Sequence, residues 1–411
     1  KELTKREAIE LLQMWYIKTN EHTEVYNYDN CQTQMGYQLG IQMTLAGQTR
    51  EGKDAVNELS YVLLEAEEEL GLQNPDFGVC SLTGEDIGLQ TGDVRTFRAM
   101  GEFKKAFEKQ LRYWITYACR TVKIQMDAQA EFSYSPFDSE LMEGPVQKGK
   151  DMCEGGAWYT AYTMWFPGLA TAADALTSID TLIFKEKKIT WEELLNALKA
   201  DWEGYETLMA YDIYHVPKYG NDIDCADENA CWLMDIWNDI VDELNLRRDM
   251  LPKQGGQYIT STIVGTPPTG MGNTVGALPG GHKKRTPLSD TSSPVHGRDT
   301  HGPAAAVRSN AKLPQQRMSM GNCMNQRFSP KMLAAEEDVE LFTDYIMAIN
   351  DNPISEIQFN IISSDVLRKA MKDPDQYRDL LVRVASYQAY FVAMNEECQL
   401  DIINRTEYQG W

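Results

Sequence analysis

The chain has 411 residues, 43% hydrophobic and 10% aromatic, enough to bury the core of one large α/β domain or two ordinary ones. Its net charge of −22 repels nucleic-acid phosphates and anionic lipid, and its longest basic cluster is Lys283-Lys284-Arg285, so neither nucleic acid nor membrane is an expected partner. No stretch reads as a signal peptide or as an apolar run long enough to span a bilayer.

The predicted elements begin with a capping box, Thr4-Lys5-Arg6-Glu7, ahead of Ile9, Leu12, Trp15 and Tyr16 at helical spacing. A second helix carries Val56, Leu59, Val62, Leu63 and Ala66. It ends in an acidic run (Glu65, Glu67, Glu68, Glu69) that reads as a solvated face. "QNPDFGVCSLTGEDIGLQTGD" follows, Gly-rich and without period. Helix returns over Phe97–Asp127, and "CEGGAWYTAYTMWFPGLATAADALTSIDTLIF" reads as a loop entering an Ala-rich helix. Thr190-Trp191-Glu192-Glu193 is a further capping box. From Gly255 to Lys312 the chain is rich in Gly, Pro, Ser and Thr, partly linker-like by composition, with the β-like run "QYITSTIVG" inside it. Its "GTPPTGMGNTVGALPGGHKKRTP" lacks the spacing of a phosphate loop. The last hundred residues alternate helix and strand: "EDVELFTDYIMAI", "EIQFNIIS", "SDVLRKAMKD", then the strand Leu380–Val382, a turn, and a last apolar run and helix. Such alternation predicts parallel pairing in an α/β sheet or barrel.

Eight cysteines include no CxxC pair, and only five histidines could join them. A metal site is therefore not expected, and reduced thiols in a cytoplasm are the natural reading.

"VRVASYQAYFVAMNEECQLDIINRTEYQ" resembles the C-terminal radical loop of the glycyl radical enzymes, in which an Arg-Val-x-Gly-Tyr turn carries the radical. "GQTREGKDAVNELSYVLLEAEEEL", "FPGLATAADALTSIDTLIF", "VPKYGNDID", "PLSDTSSPVHGRDTHGPAAAVRSNAKL", "NQRFSP" and "IQFNIISSDVLRKAMKDPDQYRDL" resemble further blocks of that family in the same order. "GGAWY" and "FPGLAT" look nearest to the branch of arylacetate decarboxylases and benzylsuccinate-type synthases. The resemblance implies a pyruvate formate-lyase-type α/β barrel, here shortened at the N-terminus and internally. It implies a partial, helical barrel segment over 1–79, the barrel's continuation with long loops over 80–330, and a glycine-radical-type domain over 331–411. The family's activity is radical C–C or C–X bond chemistry on a small carboxylate or aromatic acid. Its cofactor is an organic glycyl radical rather than a bound group, and a radical-SAM activating enzyme installs it.

In the family a thiyl-forming cysteine faces the radical glycine, in many members with a glutamate two residues on. A glycyl α-radical is stabilised by lying planar between its flanking amides, and a thiyl takes a hydrogen atom from carbon. Here the glycine's position is Ser386, whose side chain crowds a planar radical and removes glycine's freedom at positive φ. As a nucleophile Ser386 has no His nearby in sequence to activate it. Cys80 stands where "GLQNPDFGV" runs straight into "CSLTGEDIG", and reads either as the thiyl cysteine or as an ordinary thiol at a deletion point. The residue two past it is Leu82; the nearest acid is Glu85. Gln358 and Asn360 alternate on a strand that the resemblance places near the radical loop, and read as cavity-facing substrate contacts or as a solvated polar face. Arg383 and Tyr387 are expected to hold the turn in shape. Two functions follow: a glycyl radical enzyme impaired in this chain, or a non-catalytic relative that binds a ligand or an intact paralogous subunit. Loss of barrel strands predicts exposed apolar surface and self-association. The family blocks matching in order also imply that Leu380–Val382 and Gln358–Ile362 are neighbouring buried strands of one barrel-like sheet.

Overall fold

The computed structural model describes residues 91–262, 267–385 and 388–410. Helix α1 (Met100–Phe132) buries Phe103, Phe107, Leu111, Ile115 and Cys119, a strict four-residue spacing that lays one stripe along one face. The first strand among the described residues, β1 (Ala161–Trp165), lies inside the stretch expected to be loop. Its period-2 burial falls in a run too short and aromatic for the pattern to stand out. Helix α2 (Leu169–Ile179) follows, and its small side chains let it sink almost wholly into the core. Helix α3 (Trp191–Lys199) starts at the expected capping box: Thr190 Oγ1 accepts from the Glu193 N–H, and the Thr190 N–H donates to the Glu193 carboxylate. Helices α4 (Glu206–Tyr214) and α5 (Asp224–Asn245) complete this layer, with Trp237 of α5 stacked on Phe166 at 4.5 Å between ring centres. Strand β2 (Gln257–Ser261) pairs parallel with β1, from Ala161↔Gln257 to Trp165↔Ser261. The helices between the two strands make the long crossover that parallel pairing requires.

The Gly/Pro/Ser-rich stretch that composition reads partly as linker is interior, a correction to that expectation. Ser289, Asp290, Thr291, Ser292 and Ser293 are all buried. Burial is tolerable because side chains replace the missing regular ladder. Ser289 and Thr171 exchange backbone-to-hydroxyl hydrogen bonds, the Ser292 N–H donates to the Cys323 carbonyl, and the Asn325 N–H donates to Ser293 Oγ. Gly220, at φ +92°, allows a close approach: a Cβ there would stand 2.3 Å from Pro294.

Helix α6 (Pro303–Ala311) leads to β3 (Cys323–Phe328), the middle strand of a parallel sheet with β4 (Glu356–Ile361) and β7 (Glu407–Tyr408). Helix α7 (Glu336–Asn350) makes the crossover from β3 to β4, as the alternating pattern predicts. The sheet takes β3 from before residue 330 and its two neighbours from after it. Helix α8 (Ser364–Lys372) precedes the hairpin β5 (Leu381–Arg383)–β6 (Gln388–Tyr390), which pairs antiparallel, and helix α9 (Glu396–Asn404) packs beside it. Here a second expectation is corrected. β4 and β5 are neighbours, but they belong to separate sheets. β5 pairs with β6, and what joins β5 to β4 is a side chain, described below.

Candidate functional site

The connection between β5 and β6 is residues 384–387, and its first two residues, Val384 and Ala385, are 2% and 0% exposed. Val384 belongs to a small core with Leu367, Val382, Ala389, Phe391 and Ile402. Ser386 and Tyr387, like Cys80 and Glu85, lie outside the described residues. The structure does place what holds the connection from below.

Asn360, on β4, turns its side-chain amide onto Arg383. Its Oδ1 accepts from the Arg383 N–H at 2.8 Å, and its Nδ2 donates to the Arg383 carbonyl at 2.7 Å. Arg405, just past α9, donates from Nη1 to the Val384 carbonyl at 2.5 Å and from Nη2 to Asp401 at 3.2 Å. Both side chains also line a polar cavity of about 20 Å³, room for little more than one water. Asp290, His296, Asp299 and Arg327 complete much of its wall.

Opposed charges hold this wall together. His296 stands between Asp290 (Nε2, 3.4 Å) and Asp401 (Nδ1, 3.8 Å). Burial disfavours the imidazolium, but the two carboxylates outweigh it and raise the His296 pKa. Burial likewise penalises the Asp290 carboxylate, and Arg405 and His296 outweigh that too, holding it well below the usual carboxylate range. Asp299 accepts from the hydroxyls of Thr406 and Tyr408, yet burial dominates and pushes its carboxyl up. Arg327 is lowered to about 10 by burial, against the pull of Glu407. Its Nη2 donates to the carbonyls of Ile403 and Arg405, pinning the segment that carries Arg405.

Gln358, the other candidate on β4, is buried and donates to the Glu356 carboxylate. The polar face of β4 is therefore not a solvated one. Sequence reasoning missed Asp290, His296, Asp299, Arg327, Asp401 and Arg405 as site residues. Their blocks, "SDTSSPVHGRD", "NQRFSP" and "DIINRTEY", were legible as units, but nothing in any one block says that it meets the others.

Comparisons with known proteins cover most of the chain. The pyruvate formate lyase-like family model matches residues 1–80 and 76–265, and the glycine radical model matches 288–392. The chain belongs to the glycyl radical enzyme family. Among its relatives, the trans-4-hydroxy-L-proline dehydratase of Clostridioides difficile is 34% identical over 356 residues, covering 87% of this chain and 44% of that protein. The (2S)-3-sulfopropanediol dehydratase of Klebsiella oxytoca is 28% identical over 498 aligned residues, covering 98% of this chain and 60% of the relative. The glycerol-bound B12-independent glycerol dehydratase of Clostridium butyricum superposes with a TM-score of 0.78 at 26% identity, over 99% of this chain and 62% of that one. The fold is thus the family's α/β barrel, and the chain spans about half the length of the curated relatives it matches.

Proposed function

We propose that this chain derives from an enzyme of radical C–C or C–X bond chemistry on a small carboxylate or aromatic acid, and that its own radical site is impaired. The observation that carries the reading is the serine at 386, in a loop whose preceding backbone at Arg383 and Val384 is nonetheless held in place. The names of the relatives support the chemistry. Dehydratases, isethionate sulfite-lyases and an indoleacetate decarboxylase break C–O, C–S and C–C bonds respectively. The internal shortening is supported by the family model, which matches in two pieces that overlap at residues 76–80, the first ending on Cys80. Leu82 and Glu85 leave that cysteine without an acid two residues on.

A family activase and S-adenosylmethionine test it under anaerobic conditions. Serine at the α-carbon hinders both hydrogen abstraction and the planarity that preserves the radical, so the unaltered chain gives no stable glycyl-type doublet in electron paramagnetic resonance. Ser386→Gly restores at most the stored radical, without turnover. A persistent doublet assigned to residue 386 in the unaltered chain, or substrate turnover by it, refutes the reading.

A non-catalytic role beside a second copy or an intact paralogous subunit is favoured by a different observation. Phe137, Leu141, Val146, Trp158 and Tyr159 are exposed apolar side chains within one short stretch. Sedimentation of the pure chain tests self-association, and a monodisperse monomer that melts cooperatively at high temperature counts against it.

A further inference from the structure

We propose that Asn360 and Arg405 are positioning residues of the radical loop, gripping its backbone rather than its side chains. The proposal rests on the family reading for the loop's identity, while the geometry stands by itself. Arg383 pairs with Gln388 across the hairpin, yet its N–H and C=O both go to Asn360, on the other side. In an antiparallel pair that geometry belongs to a non-hydrogen-bonded position, whose polar groups face outward to a next strand. No third strand joins this edge among the described residues, and the Asn360 amide, one acceptor and one donor, takes its place. The next carbonyl, Val384, goes to Arg405. Three backbone groups of two successive residues are thus held from two elements, β4 and the end of α9, and Arg405 is itself fixed by Asp401. None of these bonds uses a loop side chain, so the seat survives a change of residue at 386.

The same two-bond grip recurs at Asn245, which accepts from the Tyr258 N–H and donates to its carbonyl, both at 2.8 Å, on β2. It supplies an internal control.

Hydrogen–deuterium exchange on the full chain reads the seat directly. Asn360→Leu removes both bonds, and peptides over 381–392 should exchange at least about tenfold faster, while β1 and β2 stay as they are. Asn360→Asp keeps the acceptor but sets a carboxylate against the Arg383 carbonyl. It should also lose protection at pH 7, then regain it relative to the parent chain as the pH falls and the protonated acid again offers a donor. Arg405→Lys should loosen the same peptides, and Asn245→Asp should loosen β2 and leave the hairpin alone. A hairpin unchanged in Asn360→Leu overturns the proposal. So does acceleration spread evenly over the chain in both Asn360 variants, or no recovery by Asn360→Asp at low pH. No radical enters this readout, so its outcome and that of the activation assay are separable.

Discussion

Replacing Tyr408 by phenylalanine removes one oxygen from the strand that ties the end of the chain into the parallel sheet. That hydroxyl donates to Asp299, whose other carboxylate oxygen takes the hydroxyl of Thr406. Tyr408 and Asp299 are each 6% exposed, so bulk water does not reach the lost partner's place, and the small cavity that both border has room for little more than one water. A hydrogen bond to a charged group contributes about 1.5–3 kcal/mol, and leaving a buried acceptor short of a partner puts the cost in the upper half of that range. We expect Tyr408→Phe to destabilise the chain by ~2–3 kcal/mol, read by urea denaturation and by local exchange of residues 400–410. The phenylalanine keeps its ring contact with Phe328, so packing contributes little to the change. In an Asp299→Asn background, where the acceptor is no longer a carboxylate, the same substitution should cost markedly less, and the difference isolates the pair. A Tyr408→Phe chain within ~0.5 kcal/mol of the parent, or equal costs in the two backgrounds, refutes the assignment of stability to this bond.

Phe328→Ala should cost ~3–5 kcal/mol in the same assay, because the ring is fully buried against Phe342, Phe359 and Tyr408 and a cavity would remain. Asp174 is raised to about 7, by burial first, against the pull of Lys218. Its folded form therefore holds a proton that the unfolded chain releases near pH 4, and stability should fall as the pH rises from about 4 to 7. Asp174→Asn, which can still accept from the Tyr219 N–H, should flatten that slope in thermal melts across the range. Cys119 and Cys398 are buried thiols pushed up to about 12 by burial, so both should resist iodoacetamide at pH 8 in the native chain and react fully only in denaturant.

What the sequence by itself determined was whatever local spacing encodes. The stripe Phe103–Cys119, the capping box at Thr190, the strand over Glu356–Ile361 and its flanking helices all follow from neighbours within a few residues. The family followed from ordered motifs, and the anomaly at position 386 was visible as a single letter. Tertiary structure alone decided the rest. The Ser/Gly-rich stretch is interior because partners remote in sequence satisfy its polar groups: the Thr171 hydroxyl and the Cys323 carbonyl accept from the N–H groups of Ser289 and Ser292, and the Asn325 N–H donates to the Ser293 hydroxyl. Gln358 and Asn360 alternate identically on one strand, yet one donates to its own strand's Glu356 and the other grips the radical loop. His296, Asp401 and Arg405 form one charged wall only because α9 folds back beside the loop that follows Asp290. Periodicity reports which face of an element is buried, whereas the partner of a buried polar group is set by where distant segments meet, and no local pattern carries that information.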